Sequence, residues 1–178
     1  KQLLEVYQVT KNDFYKLKAE ESLEYVIREM THSEGGFYST QDADSEGEEG
    51  KFYTWEKEEV LNLLGKEDGE KFCDFFDISE EGNFEHGKSN LQVMYSTSEF
   101  AKKVKLTIEE VESLLKRSKT KLFETRNKRI FPAKDTKILT SWNGLMLSAF
   151  AKGYEVLQDT KYLEIAEKTI NFIFENLY

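Results

Sequence analysis

The chain is poor in residues that punctuate or staple a fold. Proline occurs once, at Pro132, and glycine ten times in 178 residues. A many-turned β fold needs more of both, so the scarcity favours helices. Cysteine occurs once, at Cys73, which excludes an internal disulfide and any CxxC motif and fits a reducing, cytoplasmic setting. Within the apolar run KFCDFFDI, Cys73 reads as a small buried thiol rather than a reactive one. Only His32 and His86 are present, so a histidine-rich metal site is excluded, and neither a metal nor another cofactor is expected. His32 is placed at a helix end, where a cation offsets the dipole, and His86 in an exposed turn. No apolar run approaches the ~18 residues that cross a bilayer. Lys1 to Thr10 has neither the apolar core nor the cleavage site of a signal peptide. Positive charge is also short: the formal charge is −9, which argues against nucleic acid or an anionic membrane as partner. P-loop, GxGxxG, GxSxG and HExxH patterns are missing, which removes motif-based readings as nucleotide binder, serine hydrolase or zinc protease.

What remains is 39% hydrophobic and 33% charged, the balance of a globular chain with a real core. Over Asn12 to Thr31, Ala19, Leu23, Val26, Ile27 and Met30 form one stripe at helical spacing. Val111, Leu114, Leu115 and Leu122 repeat the pattern. Thr107 with Glu110 makes a capping box before that second helix, and Ser96 with Glu99 makes another before a short helix through Val104. Thr54 is placed as the cap of a further helix, with Glu56, Glu58 and Glu59 in its first turn. Asn143 to Leu157 is apolar almost all round, the mark of a helix enclosed on every side. Asp159 to Tyr178 has one apolar stripe and an exposed charged face, as an outer helix should.

These last two helices repeat the beginning of the chain. A shift of 147 positions sets Leu3 on Phe150, Tyr7 on Tyr154, Tyr15 on Tyr162, Ala19 on Ala166 and Val26 on Ile173 without a gap. Repeated hairpins that cannot bury their own faces predict a stacked or closed helical array. The expected fold is mainly α, one domain over 1–178 that begins partway through an inner helix.

The chemistry is expected in two loops, His32 to Thr54 and Lys128 to Ser141, which open on the same rim if the hairpins alternate up and down. In GGFYSTQDADSEGEEGKFYTW, aromatic runs bracket Asp42, Asp44, Glu46, Glu48 and Glu49. Phe37-Tyr38 and Lys51-Phe52-Tyr53 are expected to pair as a hairpin, with Asn90 to Met94 as another short strand. The start of the acidic run resembles an EF-hand loop, but Tyr53 stands where the twelfth-position Glu belongs, which argues against calcium. Glu48 and Glu49 read as a solvated turn. Asp42, Asp44 and Glu46 are the candidate acid and base groups, because paired carboxylates split their pKa values when their surroundings differ. Facing them, Arg126, Arg129, Lys134, Asp135 and Lys137 are expected to complete a polar cleft. Arg129, Asp135, Lys137, Trp142 and Asn143 are the substrate-binding candidates, with Trp142 offering a ring face; a small-molecule carbohydrate suits such a mixture.

Three segments, GGFYSTQDADSEGEEGKFYTW, FDISEEGNFEHGKSNLQ and RIFPAKDTKILTSWNGLML, resemble in order and spacing the YyaL-type, spermatogenesis-associated thioredoxin-domain proteins. The resemblance implies an (α/α) toroid similar to N-acylglucosamine 2-epimerases and six-hairpin glycosidases, of which this chain would be about the first half. It also implies a preceding thioredoxin-like domain, not present here, that carries the family's redox cysteines. One position departs: Thr136 stands where the family commonly has Asp. Epimerases of that kind use histidines, and neither His32 nor His86 lies in a matching motif. By fold analogy the expectation is a carbohydrate- or sugar-derivative-handling domain, epimerase-, isomerase- or glycosidase-like in the full-length protein, with the fragment inactive alone and prone to self-association. The alternative is a non-catalytic platform presenting client proteins to a linked thioredoxin domain.

Overall fold

The computed structural model describes residues 1–177 and is mainly helical, with two short antiparallel strand pairs. The chain separates into two compact units, Lys1–Asp42 with Lys134–Tyr178, and Ala43–Ala133. Among the described residues no helix is long and apolar enough to cross a membrane.

The first unit consists of two helical hairpins, α1 (Gln2–Thr10) with α2 (Asp13–Glu29), and α7 (Thr140–Leu157) with α8 (Thr160–Asn176). The repeat is realised residue for residue. Adding 147 to the ends of the first hairpin's turn and outer helix (10, 13 and 29) gives those of the second (157, 160 and 176). Both turns use the same device. Lys11 (φ 56°) and Gln158 (φ 59°) close the inner helices in the left-handed conformation. Asn12 and Asp159 then cap the outer helices by accepting from the backbone N–H groups of Phe14 and Lys161. Such caps satisfy otherwise orphaned helix-terminal donors.

Leu23, Phe37, Phe150, Tyr162 and Ala166 form this unit's core, with the Phe37 and Phe150 rings stacked 5.3 Å apart at 6°. Gly36 has no room for a side chain: a Cβ would sit 2.7 Å from the Phe172 ring. The expectation that α7 is enclosed on every side is not met. It packs on α8 and α1, but Trp142 is 50% and Leu145 73% exposed.

In the second unit α3 (Lys57–Leu64), α4 (Lys66–Phe76), α5 (Thr97–Val104) and α6 (Ile108–Arg126) enclose Val60, Phe72, Phe76, Phe100, Val111 and Leu114. Burying a side chain such as Phe72 or Phe100 contributes about 2–3 kcal/mol. Both capping boxes form, at Ser96 with Glu99 and at Thr107 with Glu110. Thr54 does not cap α3. Its hydroxyl donates to the Gly50 carbonyl, and α3 begins after Glu56 without a side-chain cap. Cys73 is buried, and burial pushes its thiol up to about 11.

The strand pairing also differs from expectation. Phe37 forms a bridge to Thr31. Strand β1 (Thr40–Gln41) pairs with β4 (Lys134–Asp135), and β2 (Asp44–Ser45) with β3 (Glu48–Glu49). Asn90 to Met94 is no strand; the Gln92 and Met94 N–H groups donate to the Phe76 and Phe75 carbonyls at the end of α4. His32 lies beyond the end of α2, its Nδ1 accepting from the Glu34 N–H and its ring against Phe172. His86 is exposed in a turn.

Candidate functional site

The acidic run folds on itself. Asp44 pairs with Glu49 and Ser45 with Glu48 across a two-residue loop, Glu46-Gly47, with φ 56° and 78°. Two consecutive positive φ values make this a primed turn, whose twist matches that of the flanking strands. The alternation of the strands sends Ser45 inward, 4% exposed, where its hydroxyl donates to the Ile130 carbonyl at 2.6 Å. Asp44, Glu46 and Glu49 stay exposed. Lys51 lies 3.4 Å from Glu46 and 3.2 Å from Glu48, and Lys88 lies 3.0 Å from Glu48. The Lys88 hydrogen bond, then that of Lys51, holds the Glu48 carboxyl below its usual range. Two lysines therefore relieve the repulsion at Glu46 and Glu48.

Arg129, expected to face the acidic run, instead holds backbone and Glu59. The Arg129 guanidinium donates through one terminal nitrogen to the carbonyls of Lys51, Phe52 and Thr54 at 2.8–3.2 Å. Its other terminal nitrogen makes a fork to both Glu59 oxygens at 2.8 and 2.9 Å. The guanidinium carbon sits 4.1 Å from the Trp55 ring centre. Arg129 thus ties the segment after the hairpin to the first turn of α3. Above it opens a cleft of about 360 Å³ lined by Glu46, Lys51, Glu56, Glu59, Lys88 and Lys128, among others. Its lining holds both carboxylates and ammonium groups, and Arg129, also in the lining, fastens the main chain beside it.

In the first unit the second loop meets the GGFYSTQ segment. Thr40 pairs with Asp135 and Gln41 with Lys134, and the Ser39 hydroxyl donates to the Asp135 carbonyl. Lys134 pairs with Glu29; burial raises the Glu29 carboxyl, but hydrogen bonds from Arg28 and Lys134 outweigh this and hold it low. Asp135 accepts from the Lys137 backbone N–H and ammonium, in that order of effect, which lowers its carboxyl. Asn143, 1% exposed, copies a strand partner. Its Oδ1 accepts from the Phe37 N–H at 2.7 Å and its Nδ2 donates to the Phe37 carbonyl at 3.0 Å. The amide thus anchors that loop, and its Nδ2 also donates to the Leu139 carbonyl at 3.0 Å. Trp142 presents a half-exposed ring, and Asp42, closing the unit, is exposed.

Glu56, Glu59, Lys51, Lys88 and Lys128 are not among the site residues expected from sequence, although Glu56 and Glu59 are expected in a helix's first turn and Lys51 in a strand. The Glu46-Gly47 pair was the available signal for the hairpin, whereas the approach of Lys88 is a long-range contact with no local mark. Among the described residues no group of three His, Cys, Asp or Glu side chains is placed to hold a metal ion.

No model of a known protein family matches the chain. Individual relatives do. An uncharacterised protein of Caenorhabditis elegans is 33% identical over 203 aligned positions, covering 97% of this chain and 27% of the relative. Spermatogenesis-associated protein 20 is 31% identical in Homo sapiens and 32% in Mus musculus over 198 positions, covering 98% of this chain and 25% of each relative. The alignments run through all three motif segments, and so support the resemblance drawn from them. Over nearly its whole length the chain is a homologue of spermatogenesis-associated protein 20, of which it spans about a quarter.

Proposed function

We propose that the chain contributes the carbohydrate-derivative-binding part of an (α/α) toroid. The observation that carries this reading is the polar cleft of the second unit, whose lining includes Glu46, Glu56 and Glu59 together with Lys51, Lys88 and Lys128. Ionised carboxylates accept, and ammonium groups donate, the several hydrogen bonds that a polyol offers within one ring width. The exact repeat of the helical hairpins and the homology over the motif segments support the toroid. Asp42, Asp44 and Glu46 are the groups we assign to acid and base work, each being exposed. In the first unit, taken by itself, Trp142 offers a half-exposed ring face and Lys137 an exposed cation paired with Asp135. Arg129 and Asn143 act as positioning residues, holding backbone rather than ligand.

Calorimetric titration of the full chain with neutral mono- and disaccharides, uronic acids and amino sugars tests this. Binding of at least one class, weakened tenfold or more by Glu46→Gln with Glu56→Gln, is the expected result. Absence of binding across the panel, or binding untouched by those changes, overturns it.

A further inference from the structure

A second and larger groove, of about 670 Å³, lies elsewhere in the second unit, within the range of about 300–1,000 Å³ typical of ligand sites. Its floor is apolar: Trp55, Phe72, Phe76, Leu91 and Phe123. The first three also belong to or face the core, while Leu91 and Phe123 are each 37% exposed. One wall is the C-terminal half of α6, where the charge pattern of the chain inverts. The protein carries −9 overall, yet KRSKTKLFETRNKR, residues 116–129, holds seven Lys or Arg against one acid, Glu124.

Two of these cations are set over the aromatic floor. The Lys119 ammonium lies 5.5 Å from the Phe76 ring centre. The Arg126 guanidinium lies 5.0–5.3 Å from the rings of Phe123, Phe52 and Tyr53. Cations fixed against rings are partly desolvated and pre-oriented, so a carboxylate arriving there meets donors that lose little freedom. The cationic run also extends past the groove. Lys116, Lys121 and Lys128 are exposed and enter no ion pair among the described residues. From residue 116 to 126 the helix rises about 15 Å. A small anion resting on the floor reaches Lys119 or Arg126, whereas an extended segment along this face of α6 also meets Lys116, three residues before Lys119; Lys121, two residues after Lys119, lies on the opposite face.

We propose that this groove docks an acidic segment of a partner polypeptide, whose Leu or aromatic side chains enter the floor while its carboxylates face Lys119, Arg126 and Lys116. Hydrophobic anchors in a preformed groove supply affinity, and the opposed charges supply register and a salt-dependent association rate. The inference stands apart from the polar cleft, which Lys119 does not line.

The test is fluorescence anisotropy of the full chain with a labelled 14-residue peptide carrying Leu at helical spacing and Glu between. Micromolar binding is expected, with affinity falling about tenfold between low and high salt. A similar loss is expected for Lys119→Glu and for Leu91→Ser, each checked for unchanged circular dichroism. Companion peptides with Leu→Ser or Glu→Gln should bind at least tenfold more weakly. Equal binding of the Glu→Gln peptide, indifference to Lys119→Glu, or no binding at all overturns the proposal. So does saturable binding of dodecanoate without binding of the peptide, which assigns the groove to a small anion. Concentration-dependent dimerisation removed by Lys119→Glu would assign it to a second copy and overturn the proposal equally.

Discussion

Replacing Asn143 by Leu should cost the first unit much of its stability, although the branched shape of the side chain is kept. The amide satisfies both backbone groups of Phe37, at 2.7 and 3.0 Å, in a site 1% exposed. Leucine offers neither donor nor acceptor, so a buried N–H and a buried C=O lose their partners at about 1–3 kcal/mol each. The Leu139 carbonyl, the third partner, keeps the Asn143 backbone N–H and adds little. We expect a loss of about 3 kcal/mol, or roughly 6–12 °C in melting temperature for a chain of this size. Asn143→Asp refines the test. Its carboxylate still accepts from Phe37 but faces the Phe37 and Leu139 carbonyls, so the folded state raises its pKa. A raised carboxyl binds its proton more tightly when folded, so this variant should regain stability as pH falls through the folded value towards ~4. Urea denaturation at pH 7 and pH 5, with exchange of the Phe37 amide followed by NMR, reads both effects. Stability of Asn143→Leu within about 0.5 kcal/mol of the parent, with the Phe37 amide still protected, would refute the reasoning.

Three further expectations follow from the same contacts. Arg129→Met strands the carbonyls of Lys51, Phe52 and Thr54 and the partly exposed Glu59 carboxylate, so it should lower the second unit's stability by about 2–3 kcal/mol in chemical denaturation; an unchanged midpoint contradicts the clamp. Cys73, with its thiol at about 11, should react with a thiol reagent at pH 8 at least ~100-fold more slowly when folded than in urea, and equal rates would contradict its burial. Glu29, Glu48 and Asp135 have lowered carboxyls, so their stabilisation is complete above ~4.5 and is lost as pH falls through their folded values. Urea midpoints measured from pH 6 to pH 3 should drop below ~4, and Lys134→Met should shrink the Glu29 share of that drop.

Local signals carried the helical part of the fold. The hairpin repeat and both capping boxes were legible because helix periodicity and cap chemistry act within a few residues, and the structure reproduces them at the residue level. Thr54 carried the same local signature, but Gly50 offered its hydroxyl a nearer acceptor. The rim was harder to read. Aromatic residues at Phe37 and Phe52 suggested strands, whereas both rings belong to packing, and the strand pairing went to Thr40–Gln41 with Lys134–Asp135 across about ninety residues. The two loops do meet as expected, through Thr40 with Asp135 in one unit and Ser45 with Ile130 in the other. Which cation answers which carboxylate was not legible: Arg129 chose Glu59 and three carbonyls, and Lys88 reached Glu48 from forty residues away. Side-chain pairing of this kind depends on tertiary placement that no periodicity encodes.

The polar cleft is most directly tested by two-dimensional NMR of the isotope-labelled full chain, titrated with the sugar class that gives heat in calorimetry. The account predicts saturable shifts confined to the amides of Glu46 to Lys51, Glu56 to Glu59, Lys88 and Lys128 to Ile130. Shifts that instead cluster elsewhere, or that never appear at millimolar sugar, would contradict it.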